Sequence, residues 1–156
     1  MHPNAEHVQA AISGRGLDCQ VIELPASTRT AADAAKALAT SVAQIIKSLL
    51  FIAGDEPLLV LASGINRVNV DKLSAVVGGT ASRADADTVK KVTGFPIGGV
   101  APTGLKEKVR VLIDEDLRQH RELWAAAGTP HAVFRCSPDD LVSLTGGTFV
   151  DLKEEC

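Results

Sequence analysis

Aromatic side chains are scarce in this sequence: they make up 3% of the residues, with one tryptophan, four phenylalanines and no tyrosine. Proteins that hold long single-stranded nucleic acids use such side chains as platforms on which bases stack. The formal net charge is -3, whereas binding along a nucleic-acid backbone needs a broad basic surface. The composition therefore argues against a protein that coats DNA or RNA. It still allows a small local patch that recognises one nucleic-acid end.

Cysteine is also rare, with three residues at Cys19, Cys136 and Cys156. An odd number without a CxxC pair indicates neither a zinc site nor a disulfide framework. The four histidines do not have metal-ligand spacing either. We therefore expect a protein from a reducing compartment that uses no metal and no other cofactor.

Long apolar runs are missing as well. No segment reaches the length needed to span a membrane, and the N-terminal stretch MHPNAEHVQAAISGRG lacks the apolar core of a secretion signal. These absences favour a cytoplasmic protein without a membrane partner.

The residues that are present alternate between helical and strand patterns. A length of 156 residues suits one domain covering 1–156, and the alternation predicts an α/β or α+β fold. Buried strands at 45–52 and 58–62 should form a hairpin. Helices are predicted at 4–13, 27–40, 69–79, 85–94 and 137–147, and the remaining strands at 19–24, 109–114, 123–128, 131–136 and 148–152.

Lys47 stands in the apolar stretch QIIKSLLF, which covers residues 44–51. Lysine is among the side chains least often buried, and an unpaired buried ammonium is costly. One interpretation is a strand lysine whose stem covers apolar surface while its ammonium reaches water. The other is a lysine that points into a cleft and meets a phosphate or a developing oxyanion. Periodicity alone leaves both open.

A second candidate is the glycine-rich segment GFPIGGVAPTG, residues 94–104. Glycine lets backbone N–H groups approach a ligand closely, and proline stiffens a loop. The segment is neither a Walker motif nor GxGxxG, so a structural turn between a helix and a strand is the alternative interpretation.

Other polar residues are weaker candidates. Ser63 is not part of a GxSxG nucleophile elbow, and no nucleophilic triad can be recognised. The acidic runs DED (114–116) and KEEC (153–156) are expected to face solvent. Asp33, Asp71 and Asp87 fit helix termini better than general bases.

Taken together, the two main motifs resemble the YbaK/ProX family of aminoacyl-tRNA deacylases, which are related to the editing domain inserted in bacterial prolyl-tRNA synthetases. The similarity extends over nearly the whole chain, including ELPASTRTAADAA, LVLASGINRVNVDKL and WAAAGTPHAVFRCSPDDLVSLTGG. It implies a mixed, strongly curved β-sheet surrounded by helices. It also implies hydrolysis of the ester that joins a wrong, small amino acid to the terminal adenosine of a tRNA, such as Cys or Ala on the proline tRNA, or Ser or Thr.

The resemblance also assigns roles to residues. Lys47, with Gly98 and Pro102 of the GxxxP loop, matches the catalytic positions, where the lysine positions the tRNA end and the loop positions the attacking water. Substrate contacts are implied for Thr30, Ser48, Gly99, Val100, Ala101, Gly128 and Thr129. The implied partners are the acceptor end of a mischarged tRNA and an aminoacyl-tRNA synthetase, but neither DNA nor a membrane.

The chain departs from its relatives at several of these positions. Ser48 follows the lysine where some relatives have asparagine, Ala126 replaces a serine, and the loop carries Val100 and Ala101 where others have Cys-Ser or Val-Thr. Substrate choice therefore cannot be copied from any branch. The alternative function is a non-catalytic module that binds a tRNA end or a nucleotide beside a synthetase. Local binding of the tRNA is expected from four basic residues: Arg67, Lys72, Lys106 and Lys108.

Overall fold

The computed structural model describes residues 1–155, so Cys156 lies outside the described residues. Within that range the chain forms five α-helices: α1 (Pro3–Gly14), α2 (Ala31–Leu38), α3 (Val70–Val77), α4 (Ala86–Thr93) and α5 (Pro138–Thr145). It also forms eight β-strands: β1 (Val21–Glu23), β2 (Ile46–Ala53), β3 (Glu56–Ser63), β4 (Ala81–Arg83), β5 (Arg110–Asp114), β6 (Leu123–Ala126), β7 (Ala132–Cys136) and β8 (Thr148–Val150). Short 3₁₀ turns cover Val42–Gln44 and Glu115–Gln119.

The strands divide between two sheets. The larger has the order β4-β2-β3-β5-β8 and is mixed, because β3 runs antiparallel to β2 and parallel to β5. The smaller is antiparallel, with the order β1-β7-β6. A parallel bridge between Ile45 and Trp124 connects them. The predicted mixed α/β architecture is confirmed, with its strands in two sheets.

The predicted hairpin forms β2 and β3, which pair from Ile46 with Ser63 to Ala53 with Glu56. Side chains alternate between the two faces of a strand. Ile46 and Leu50 accordingly pack into one core cluster, and Phe51 packs into a second cluster. A strand that buries both faces is expected to be apolar on both, which explains the unbroken hydrophobic run around Lys47.

Helix starts follow the capping residues. The Thr30 hydroxyl accepts a hydrogen bond from the backbone N–H of Asp33 at 3.1 Å and so caps the start of α2. The predicted helix 27–40 is therefore too long, because α2 begins only after its cap. Ser137 caps α5 in a capping box with Asp140. Among residues 1–155, no helix has the length and apolar character needed to cross a membrane.

Strand β4 was not predicted from the sequence. It has three residues and pairs with β2 only from Phe51 with Arg83 to Ala53 with Ala81. Such a short strand has too few alternating positions to give a pattern. Its shortness matters, because it leaves the edge of β2 before Phe51 without a pairing strand.

Candidate active site

A cavity of about 400 Å³ lies where the two sheets meet. Residues Ile46–Leu50 of β2 line one side of it, and the small sheet contributes Trp124, Ala125, Ala126 and Val133. The remaining lining residues come from the segment before and within α2 (Thr28, Arg29, Thr30, Ala31, Ala34), from Ile45, Arg83 and Val89, and from the glycine-rich loop (Ile97, Gly98, Val100).

The edge of β2 is open along this cavity. Strand β4 leaves β2 after Arg83, and the last bond between them is from the Ala84 N–H to the Leu50 carbonyl at 3.0 Å. A bridge to the small sheet forms at Ile45, just before β2. The segment 46–49 therefore faces the cavity with an edge that no described strand covers. An uncovered strand edge presents unpaired backbone N–H and C=O groups.

Lys47 is half-buried in the cavity lining, and its ammonium donates a hydrogen bond to the backbone carbonyl of Asn66. Burial lowers the pKa of Lys47 below its ordinary value, because it disfavours the charged form. The nearby carboxylate of Asp114 partly offsets this lowering of the pKa, while the cations Arg83 and Arg67 add to it.

Asp114 holds the carbonyl that Lys47 contacts. Its carboxylate accepts hydrogen bonds from the Ser63 N–H at 3.0 Å and from the Asn66 amide at 2.8 Å. The same amide donates to Asp116 at 2.9 Å. Asp114 is only 1% exposed, so the expectation that the run 114–116 faces solvent was wrong for this residue. It ends a buried strand, where backbone and amide donors need an acceptor.

The glycine-rich loop contributes Gly98 and Val100 to the cavity lining. Gly98 has a φ of +87°, a conformation that favours glycine. Gly99 packs on Thr129 so closely that a Cβ would lie 2.9 Å from the Thr129 Cα. Ala101 and Pro102 are buried behind the loop and are not among the residues that line the cavity.

The predicted substrate-binding residues fall into two groups. Thr30 and Ser48 line the cavity together with Lys47 and Gly98. Gly128 and Thr129 do not line it: the Gly128 carbonyl accepts a bond from the Asn4 amide at 2.9 Å, and the Thr129 hydroxyl accepts one from the His131 N–H at 3.1 Å. Thr129 supports the glycine-rich loop, because Gly99 packs against it. The substrate contacts predicted for Thr30, Ser48, Gly128 and Thr129 remain predictions.

Ser48 has an unusual environment for a hydroxyl group. Its Oγ is buried and has no hydrogen-bond partner among the described residues. Buried polar groups are nearly always paired. Because Ser48 belongs to the cavity lining, this hydroxyl is a candidate contact for a bound molecule.

Two arginines and a tryptophan of the cavity were not singled out by sequence reasoning. Arg29, Arg83 and Trp124 are far apart in the sequence and meet only through the fold. Two of the basic residues expected to bind tRNA form ion pairs within the chain. Arg67 lies 3.6 Å from Glu154, and Lys72 lies 3.0 Å from both Asp151 and Glu155.

The charge of the site is one-sided. Its described lining contains Arg29, Lys47 and Arg83, and no aspartate, glutamate, histidine or cysteine. Within residues 1–155, no cluster of three potential metal ligands occurs. The arrangement can attract an anion and stabilise developing negative charge. Among the described residues, no hydrogen bond joins a hydroxyl of this lining to a basic side chain. The fold and the site thus define a class: an α/β domain with a small cationic pocket.

Comparison with known proteins gives the family. Residues 25–144 match the aminoacyl-tRNA editing domain, and the chain belongs to this family. It is accordingly a hydrolase that acts on aminoacyl-tRNA ester bonds. The matched range includes every residue that lines the cavity.

Individual relatives agree with this placement. The chain is 30% identical to the uncharacterized protein YwhH of Bacillus subtilis (strain 168), over 78% of each protein. It is 37% identical to the proline–tRNA ligase of Ligilactobacillus salivarius (strain UCC118) over 64% of this chain, but only 18% of the ligase. Among solved structures, a candidate trans-editing enzyme for prolyl tRNA synthetase superposes with a TM-score of 0.95 at 46% identity over 99% of both chains. The hypothetical protein APE2540 gives 0.89 at 30% identity, over 95% of this chain and 99% of that one.

Proposed function

We propose that this protein acts in trans on mischarged tRNA, hydrolysing the ester between a small amino acid and the terminal adenosine. The observation that carries the proposal is the cavity of about 400 Å³, whose lining includes Lys47 and Gly98 and contains no acidic group. The acceptor end of a tRNA supplies the matching chemistry, because it joins an anionic phosphodiester to a small ester.

The fixed walls of the cavity support selection of the amino acid by size. Its walls include Ala31, Ala34, Ala125 and Ala126, none of which can withdraw to make room. Close-packed walls of this kind resist extra methylene groups. We propose Ala or Cys on the proline tRNA, or Ser or Thr, as the amino acids removed, and Thr30 and Ser48 as contacts for them.

The proposed chemistry needs positioning more than a nucleophile. An aminoacyl ester is already activated, so a water held in line with its carbonyl, together with stabilisation of the oxyanion, supplies the acceleration. In this proposal the backbone of the loop from Gly98 to Pro102 positions the water and Lys47 positions the tRNA end. The free ribose hydroxyl beside the ester helps to orient the water.

The relatives support a partner as well. One similar structure is described as a candidate trans-editing enzyme for prolyl tRNA synthetase, and a segment of several proline–tRNA ligases resembles this chain. We propose that the protein works in the cytoplasm beside a prolyl-tRNA synthetase, on tRNA that this synthetase has charged wrongly.

A panel of mischarged tRNAs tests the function. We expect the protein to release the amino acid from at least one of the Ala-, Cys-, Ser- or Thr-charged tRNAs well above the spontaneous rate. Lys47→Ala should remove nearly all of this activity without unfolding the chain. Lys91→Ala is the matched control, because Lys91 is an exposed lysine outside the cavity.

Two results would contradict the proposal. Failure to hydrolyse any of the four esters would favour the binding module instead. A Lys47→Ala variant with the wild-type rate would remove Lys47 from the mechanism.

A further inference from the structure

The mouth of the cavity carries two arginines that the reaction above does not use. Arg29 and Arg83 line the same cavity as Lys47, and both are exposed at the surface. Neither guanidinium makes an ion pair with a carboxylate of residues 1–155. Like charges that share a site repel each other unless an anion joins them.

Arg29 is held in place by the glycine-rich loop. A Cβ on Gly98 would lie 2.6 Å from the Cγ of Arg29, so the stem of the arginine crosses directly over this glycine. The preceding residue is fixed too, because both the N–H and the hydroxyl of Thr28 donate to the Pro130 carbonyl, at 2.6 and 2.8 Å. The absence of a side chain at Gly98 therefore serves the placement of Arg29.

Arg83 is held by a different part of the fold. It pairs with Phe51 across β4 and β2, and its guanidinium lies 5.6 Å from the centre of the Phe51 ring. Phe51 is buried, so this cation–π contact rests on a fixed ring. The positive charge of Arg83 contributes to the lowered pKa of Lys47, because the two cations repel each other.

We infer that Arg29 and Arg83 are positioning residues that hold the phosphate on the 5′ side of the terminal adenosine, at the mouth of the cavity. Arginine suits this task because its planar guanidinium binds phosphate through two parallel hydrogen bonds. The inference rests on the proposed function, and it adds a nucleotide-phosphate subsite to the amino-acid pocket.

Binding of adenosine and AMP to the intact protein separates this subsite from catalysis. AMP carries the 5′-phosphate and adenosine does not. Both dissociation constants can be measured by NMR titration, for which the side chain of Trp124, a residue of the cavity lining, gives a signal. We expect AMP to bind about tenfold more tightly, and Arg29→Gln and Arg83→Gln each to reduce this preference about fivefold, the range of a partly exposed ion pair.

Arg110→Gln is the matched control, because Arg110 is exposed and lies outside the cavity lining. It should keep the full preference for AMP. Equal binding of AMP and adenosine by the wild type would overturn the inference. So would an equal loss of both ligands in the two cavity variants.

A kinetic experiment tests whether the phosphate subsite contributes to the reaction. The substrates are 3′-aminoacyl-adenosine with and without a 5′-phosphate, carrying the amino acid that the tRNA panel identifies. We expect the two variants to lower kcat/KM about fivefold for the phosphorylated ester only. Equal losses with both esters would refute the role of the phosphate. If neither ester is hydrolysed while AMP is still preferred, the proposed function fails and the subsite remains.

Discussion

Replacing Asp114 by asparagine tests the network that holds the contact of Lys47. Three N–H groups donate to this carboxylate: those of Ser63 and Asn66 to one oxygen, and that of Asp116 to the other at 3.0 Å. Asparagine retains one acceptor oxygen and places an amide group where the other was. At least one of the three donors must then face another donor.

The size of the effect follows from burial. A buried donor left without an acceptor costs about 1–3 kcal/mol, and Asp114 is 1% exposed. We expect Asp114→Asn to lower the free energy of unfolding by about 2 kcal/mol. For a chain of this length the melting temperature should fall by about 4–8 °C. Asp114→Ala should cost more, because all three donors lose their acceptor.

Thermal unfolding checks this expectation, with Asp151→Asn as the control. Asp151 is an exposed carboxylate paired with Lys72 at 3.0 Å, and such pairs contribute at most about 1 kcal/mol. A melting temperature of Asp114→Asn that equals that of the control would refute the reasoning. The variant should also lower the pKa of Lys47 further, since Asp114 is the carboxylate that raises it.

Three further predictions concern the glycine-rich loop and the cavity. Gly99→Ala should destabilise the fold by about 1–3 kcal/mol, because its Cβ would lie 2.9 Å from the Cα of Thr129, whereas Gly79→Ala has open space and should melt like the wild type. Ser48→Ala should keep or raise the melting temperature, because the lost hydroxyl has no partner. The same variant should lower kcat/KM about fivefold. A clear drop in melting temperature would contradict this prediction. Deacylation, corrected for spontaneous hydrolysis, should decline with rising pH as the Lys47 ammonium loses its proton, and this decline should occur below 10.5, the ordinary pKa of lysine. A rate that is constant up to that pH would show that the charge on Lys47 is not needed.

Local rules in the sequence predicted much of the fold. The β2–β3 hairpin follows from a continuous apolar run interrupted by the turn AGDEP. The starts of α2, α4 and α5 follow from the caps Thr30, Asp85 and Ser137. These features depend on neighbours in the chain, and such neighbours can be read directly from the sequence.

The site was only partly predictable, because its other parts depend on contacts across the fold. Lys47 and the glycine-rich loop stand out in their own segments. Arg29 and Arg83 are exposed, and their sequence neighbours form no recognisable motif. Their place in the site depends on packing against Gly98 and Phe51, which are distant in the sequence. Asp114 was misjudged because an acidic run normally faces water, whereas here its first residue still belongs to buried β5.

The Ile45–Trp124 bridge joins two sheets whose cavity-lining strands are made at different times during synthesis. The residues that line the cavity extend from Thr28 to Val133, so the lining is complete only when β6 and β7 have been made as far as Val133. Val133 is in turn positioned by pairing with Ile22 in β1, one of the first segments to leave the ribosome. An unfinished chain that stops before β7 therefore has Lys47 but no enclosed cavity. The two sheets must dock before the protein can select a substrate by size.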